Sequence, residues 1–325
     1  MQGRRYVLSK IGQALATLAF VVAFNFFLFR VMPGDPVRLL ARAQGLELSR
    51  GAIRELIADL GLNKPLFAQF WDYLGDTLRG NFGDSFIFGE PVTTIFGRFM
   101  WPTILLVGVA TVLMTVIGLF LGVRGGWNRG SKSDLASMGI SLVLYSMPEF
   151  WLGMMLLVLF ATTLGWFPQG GYKSTQAGIT GLDKVVDILN HMFLPTITLT
   201  LAYIGEYYLL MRSSLLDVLG EDYITAARAK GIRESQVLWR HAVRNALLPT
   251  VTLLALSFGF VIGGAITVEL VFSYPGLGLL TFEALEAQDY ALLQGMFLFF
   301  SAAVIVANLI ADILYSYLDP RVREA

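Results

Sequence analysis

Residues 103–123 read TILLVGVATVLMTVIGLFLGV, twenty-one residues without one ionisable group. At about 1.5 Å of rise per residue, a helix of this length spans about 31 Å. That matches the hydrocarbon thickness of a bilayer, and the helix satisfies its own backbone hydrogen bonds on the way. Five further stretches meet the same test: Ile11–Phe29, Leu135–Trp166, Met192–Met211, Ala246–Leu270 and Leu292–Leu318. The Leu135–Trp166 stretch is long enough to require tilt or a bend. The expectation is an all-α polytopic membrane protein with six transmembrane helices. The uncharged run at 11–29 exceeds the about 7–15 apolar residues of a signal peptide, so it reads as a retained anchor.

Composition agrees. The 325 residues are 55% hydrophobic and 15% charged, too apolar for one soluble core with a polar skin. Lys+Arg and Asp+Glu balance at 24 each, so no overall field points to nucleic acid. Without cysteine there are no disulfides, thiolate metal sites or thiol nucleophiles.

Basic residues near the span ends set the orientation. One side collects Arg4, Arg5, Lys10, Arg124, Arg129, Lys132, Arg212, Arg228, Lys230, Arg233, Arg240, Arg244, Arg321 and Arg323. The other has Lys173 and Lys184 in one loop and none between Ser273 and Ala291. Both termini are therefore expected in the cytoplasm. Four regions follow: 1–30 with the first helix, an extracytoplasmic segment 31–102, a five-helix core 103–318 with a cytoplasmic loop 212–246, and a tail 319–325. Within 31–102, Ser49–Leu60 reads as a capped helix ended by Gly61. Phe67–Leu78 places Phe67, Phe70, Trp71 and Leu74 on one face, suited to a membrane surface, a neighbouring subunit or the bundle. Tyr274-Pro275-Gly276 fits a type II turn with Gly at its third position.

Covalent chemistry finds little support. Residues 125–133, GGWNRGSKS, lack the Lys directly after the second Gly that a phosphate-binding loop requires, and they follow an apolar helix; a short basic turn is the expectation. His191 and His241 fall on opposite sides of the membrane, no HExxH or GxSxG occurs, and no metal site is expected. What remains are acids at membrane depth: Glu149, Glu206, Glu269 and Asp312. Each is costly in lipid and so belongs against a bundle interior or an aqueous path. Glu269 and Asp312 lie near span ends, where hydration or structural pairing also accounts for them. Glu206, beside Tyr207 and Tyr208, could meet a substrate ammonium or bond another helix. The pairs Gly118/Gly122 and Gly259/Gly263 predict close helix contact.

The densest positive charge lies in residues 222–249, DYITAARAKGIRESQVLWRHAVRNALLP. Asp222 can cap a short helix favoured by Ala226, Ala227 and Ala229, and Gly231 can end it in the left-handed conformation. A second helix follows from about Glu234 to Leu247. Val237, Leu238, Trp239, Val243 and Leu247 give it apolar surface, with Arg240 and Arg244 on another face. The stretch fits either a partner's cleft or lipid headgroups.

Thr225-Ala226-Ala227-Arg228-Ala229-Lys230-Gly231, with Pro249 beyond, resembles the EAA loop of the membrane subunits of binding-protein-dependent ABC importers. The resemblance continues through residues 264–272, 274–278, Asp289-Tyr290, Gln294-Gly295 and 318–321. Met32–Pro36, Leu60–Leu62, Gly80–Gly83 and Leu164–Pro168 resemble the first-permease type of the dipeptide and oligopeptide branch. It implies the type I importer permease fold, in a bacterial or archaeal cell membrane, for a non-catalytic subunit. The implied partners are a second, similar permease, two cytoplasmic ATP-binding subunits that hold ATP and Mg, and an external peptide-binding protein. It also implies that Asp222, Tyr223, Thr225 to Gly231 and Pro249 couple to the ATPases, with peptide as cargo. Within the family, nickel chelates, glutathione and sugar oligomers are the alternatives; a stand-alone secondary transporter is the reading from another class. Glu149, Glu206, Tyr207, Tyr208 and Glu269 are the substrate-path candidates. Thr225 stands where many relatives carry Glu, and so receives no ion-pairing role.

Overall fold

A computed structural model describes residues 2–31, 63–174 and 180–318; within these, the side chains of 2–4, 31, 251–252, 255–264 and 314–318 are outside the description. The expected helix Ser49–Leu60, the motif pieces Met32–Pro36 and Leu60–Leu62, the packing of Gly259 and Gly263, and the tail with Arg321 and Arg323 lie outside the described residues.

The chain runs through α1 (Gln2–Val31), α2 (Leu66–Leu78), α3 (Val92–Trp127), α4 (Lys132–Ser146) and α5 (Glu149–Leu156), which continues as a π-helical turn over Leu157–Thr163. Then come α6 (Gly181–Leu219) and α7 (Asp222–Ala229). A helical run over 234–246, here α8, is π-helical at Val237–Val243. It is followed by α9 (Leu248–Val271), α10 (Leu277–Glu286) and α11 (Tyr290–Leu318). Among the described residues, four helices are long and apolar enough to cross a membrane: Arg5–Arg30, Val92–Trp127, Gly181–Leu219 and Tyr290–Ile313.

The stretch Leu135–Trp166, expected as one tilted or bent span, is sharply bent, with two short helices at 103° to each other. The break sits at Met147-Pro148. Proline cannot donate to the helix ladder and pushes the preceding residue out of the helical region, and Met147 is accordingly extended, with φ −88° and ψ 131°. Beyond α8, α9 adds a 24-residue helix, with Pro249 in its first turn where a missing N–H costs nothing.

The bundle centres on α3 against α6, where the expected role of Gly118 and Gly122 is met. A Cβ on Gly118 would fall 2.6 Å from the Tyr207 Cβ, and one on Gly122 would fall 2.7 Å from the Met211 Cβ. Two backbones meet where side chains would hold them apart, which is how helices gain van der Waals contact in lipid without a hydrophobic driving force. Around this seam, one core joins α3, α10 and α11 through Ile95, Phe96, Leu280, Leu292 and Met296. Another joins α3, α6 and α9 through Leu106, Leu199, Val268 and Phe272. On α2, Phe70 packs on Phe26 and Phe27 of α1, while Phe67 and Trp71 remain exposed, so the expected apolar face is divided.

Candidate functional site

At the end of α6 the chain turns through Gly220 and Glu221 into α7. Glu221, not the expected Asp222, occupies the N-cap, and Asp222 is the first helical residue, where its charge favours the positive end of the helix dipole. The other end follows expectation. Gly231 takes φ +72°, its N–H donates to the Arg228 carbonyl at 2.9 Å, and the Ile232 N–H donates to the Ala227 carbonyl at 3.3 Å. This double closure satisfies carbonyls that a helix end would leave orphaned.

One face of α7 anchors it. Ile224 and Ala227 are buried with Val123 of α3, Met211 and Leu215 of α6, and Val237, Ala242, Val243 and Ala246 of α8. The opposite face is free: Asp222, Tyr223, Thr225, Ala226, Arg228, Ala229 and Lys230 are exposed. Tyr223 accepts a hydrogen bond from Asn245 at 2.8 Å, and Arg228 pairs with Glu234 at 3.1 Å. Helix α7 therefore presents Thr225, Ala226 and Ala229 outward among polar and charged side chains, and is fixed from behind to the feet of two long helices. Trp239, expected on the apolar contact surface of α8, is 56% exposed, whereas Val237 and Val243 of the same turn are buried.

Behind this module lies an ion pair whose members sequence reading had not joined. Arg212 of α6 donates to both carboxylate oxygens of Asp134, at 2.7 and 2.8 Å. The Tyr208 hydroxyl donates to Asp134 at 2.9 Å, as does the Gly130 N–H. Asp134 is 1% exposed, and Ser131 caps the helix it opens. Asp134 thus ties α4 to α6, and the short basic turn before it, as expected in form, contributes the Gly130 N–H.

The path candidates separate into two groups. Glu149 and Glu206 are half-buried, and Tyr203 lies within electrostatic range of both. Thr267 donates to Glu149 at 3.3 Å. Tyr207 and Tyr208 are fully buried, in the α3–α6 seam and the Asp134 network respectively. Glu269 is likewise enclosed. Its carboxylate accepts from the Thr103 hydroxyl at 2.6 Å and from the N–H groups of Gly278 and Leu279 at 2.7 and 3.1 Å, capping α10. Tyr274 donates to the Pro102 carbonyl at 3.3 Å, and burial pushes its phenol up, keeping it a neutral donor.

The expected type II turn is corrected here as well. Gly276 is extended, with φ −115°, and the positive φ falls on Ser273. Gly276 is small for another reason, because a Cβ there would run into the Glu269 carboxylate. Asp312 pairs with Lys10 of α1 at 3.1 Å, in line with structural pairing. Asp289, part of the resemblance, is buried and holds Ser85 at 2.6 Å and the Ile87 and Leu292 N–H groups at 3.1 and 3.0 Å.

Comparison with known proteins agrees with this architecture. Residues 114–324 match the family described as binding-protein-dependent transport system inner membrane component, and residues 4–101 match its N-terminal counterpart. The chain is 37% identical, over 98% of its length and 99% of the relative's, to a Sinorhizobium fredii protein named "Probable peptide ABC transporter permease protein y4tP". It is 38% identical, over 98% of both chains, to the glutathione transport system permease protein GsiC of Escherichia coli strain K12. A solved structure of the inward-facing MetNI methionine ABC transporter shares the fold, with a TM-score of 0.56 and 17% identity over 69% of this chain and 96% of that one. An apolar helical bundle with an outward-facing helix at its foot, matched along nearly its whole length, makes this chain a member of the binding-protein-dependent transport system inner membrane component family, the permease subunits of ABC importers.

Proposed function

We propose that this chain forms half of the translocation path of a peptide importer in the inner membrane of a bacterium or archaeon, with six spans and both termini cytoplasmic. A second, similar permease completes the path, and two ATP-binding subunits, carrying ATP and Mg, drive it. An external binding protein delivers cargo. Helix α7 docks into a groove of an ATP-binding subunit, and closure of those subunits rocks the bundle between its two openings. The exposed face of α7, with Thr225, Ala226 and Ala229 among its polar and charged residues and with Ile224 and Ala227 buried behind it, carries this reading. The residues that couple are Asp222, Tyr223, Thr225 to Gly231 and, at the return into the membrane, Pro249.

Peptide is the cargo the reading favours. The relatives are named for peptide and for glutathione, and both cargoes carry amide backbones with charged ends. Half-buried Glu149 and Glu206, near Tyr203, suit a cargo ammonium. Glutathione is the second reading, supported by the similarity to GsiC. Liposomes holding the chain with its partner permease, ATP-binding subunits and binding protein provide the test. ATP-dependent uptake of labelled di- and tripeptides is expected. Uptake of glutathione alone would transfer the assignment to the second reading, and proton-driven uptake by the isolated chain would refute both.

A further inference from the structure

A groove of about 170 Å³ opens where the end of α3 meets α8, lined by Phe120, Val123, Arg124, Trp127, Leu238 and Trp239, with Asn128. Its chemistry is graded. Phe120, 60% exposed, lies seven residues before Trp127, about 10 Å back along the apolar body of α3. The other end carries two indole rings and a guanidinium. Trp127 is held under Arg228, whose guanidinium stands 5.8 Å from the ring centroid, and Trp239 is 56% exposed. Arg124 is exposed, and its guanidinium has no hydrogen bond or ion pair among the described residues. The turn that follows adds Arg129 and Lys132. Nearby carboxylates leave this charge standing, since Glu234 is engaged by Arg228 and Asp134 is buried with Arg212.

We infer that this groove binds a phospholipid with an anionic headgroup, the phosphate against Arg124 between Trp127 and Trp239 and the start of an acyl chain along Val123 and Phe120. Indole rings favour the level of the headgroups, and a basic pocket between helices at that level attracts anionic lipid over zwitterionic lipid. The walls belong to α3 and to α8, and α8 buries Val237 and Val243 against α7. A bound lipid therefore braces the outward-facing helix against the bundle. The inference rests on the proposed orientation only in assigning the groove to the cytoplasmic leaflet. Lipid retention is measured without cargo, so an error in cargo assignment leaves it untouched.

The assembled importer in nanodiscs of equal parts phosphatidylglycerol and phosphatidylcholine, with retained lipids counted by native mass spectrometry, provides the test. Wild type is expected to retain phosphatidylglycerol preferentially, and Arg124→Gln is expected to weaken that preference about fivefold, the worth of one basic residue near a lipid surface. Arg129→Gln, on the turn outside the groove, should change it less. Equal retention of both lipids by wild type, or equal losses in the two variants, would overturn the assignment. The chain has no cysteine, so Trp239→Cys carries a photoactivatable maleimide at a single place in this subunit. An adduct on phosphatidylglycerol supports the site; an adduct on an ATP-binding subunit overturns it by showing the groove covered by protein.

Discussion

Replacing Asp134 with Leu isolates the tie between α4 and α6. The carboxylate is 0% exposed and receives four short donors, two from Arg212 and one each from Tyr208 and Gly130. Its loss leaves the Arg212 guanidinium, 18% exposed, without a counter-charge. Removing one partner of a buried pair costs about 3–5 kcal/mol. Since Arg212 retains some access to water, the lower end applies, about 3 kcal/mol, or about 100-fold in an unfolding equilibrium. Arg212→Met should cost a similar amount by burying an uncompensated carboxylate. The double variant Asp134→Leu with Arg212→Met removes both charges and should lie within about 1 kcal/mol of wild type, because apolar replacements of buried pairs are often neutral. Unfolding of the purified subunit in mixed micelles titrated with SDS, followed by tryptophan fluorescence, reads all four proteins. A double variant as unstable as the sum of the single variants would refute the reasoning. So would single variants indistinguishable from wild type.

Three further outcomes are expected. Gly231→Val should abolish ATP-driven uptake while the subunit still inserts. The site has open space around it, but φ +72° opposes a β-branched residue, and normal uptake would show that the helix end tolerates another shape. Glu269→Ala removes the acceptor for two N–H groups at the start of α10. Taking about 2 kcal/mol for charge-assisted bonds, amide exchange at Gly278 and Leu279 should speed about 30-fold, and unchanged exchange would mean the cap is dispensable. Glu206→Gln should alter the preference for cargo bearing a free amino terminus; an unaltered cargo profile and rate in liposome uptake would remove Glu206 from the path.

Local chemistry made much of this molecule readable from its sequence. Apolar runs announced the long helices because lipid leaves the backbone no alternative partner. Gly118, Gly122 and Gly231 were legible because few other reasons place glycine inside or just beyond a helix. The length of Leu135–Trp166 called for tilt or a bend, but the 103° angle depends on how α4 and α5 each pack on α6. Asp134 and Arg212 stand 78 positions apart and share no motif, so only the fold joins them. Tyr274-Pro275-Gly276 misled because Gly276 is small to admit a carboxylate, not to supply a positive φ. Glu269 looked like a path residue for a related reason: its three donors come from α3 and α10, which the local sequence around it does not reveal.

The rigid seam between α3 and α6 also sets a leverage. Helix α6 has 39 residues, about 58 Å end to end, and its foot carries the anchor of α7. Glu206 stands 13 residues above Leu219, about 20 Å up this rod. Pivoting α6 by about 5° about its foot would carry Glu206 sideways by about 2 Å and the distant tip by about 5 Å, taking the same helical rise. A small shift at Glu206 and a large one at the Gly181 end of α6 can thus come from one motion, with the ratio between them fixed by where each residue sits along the helix.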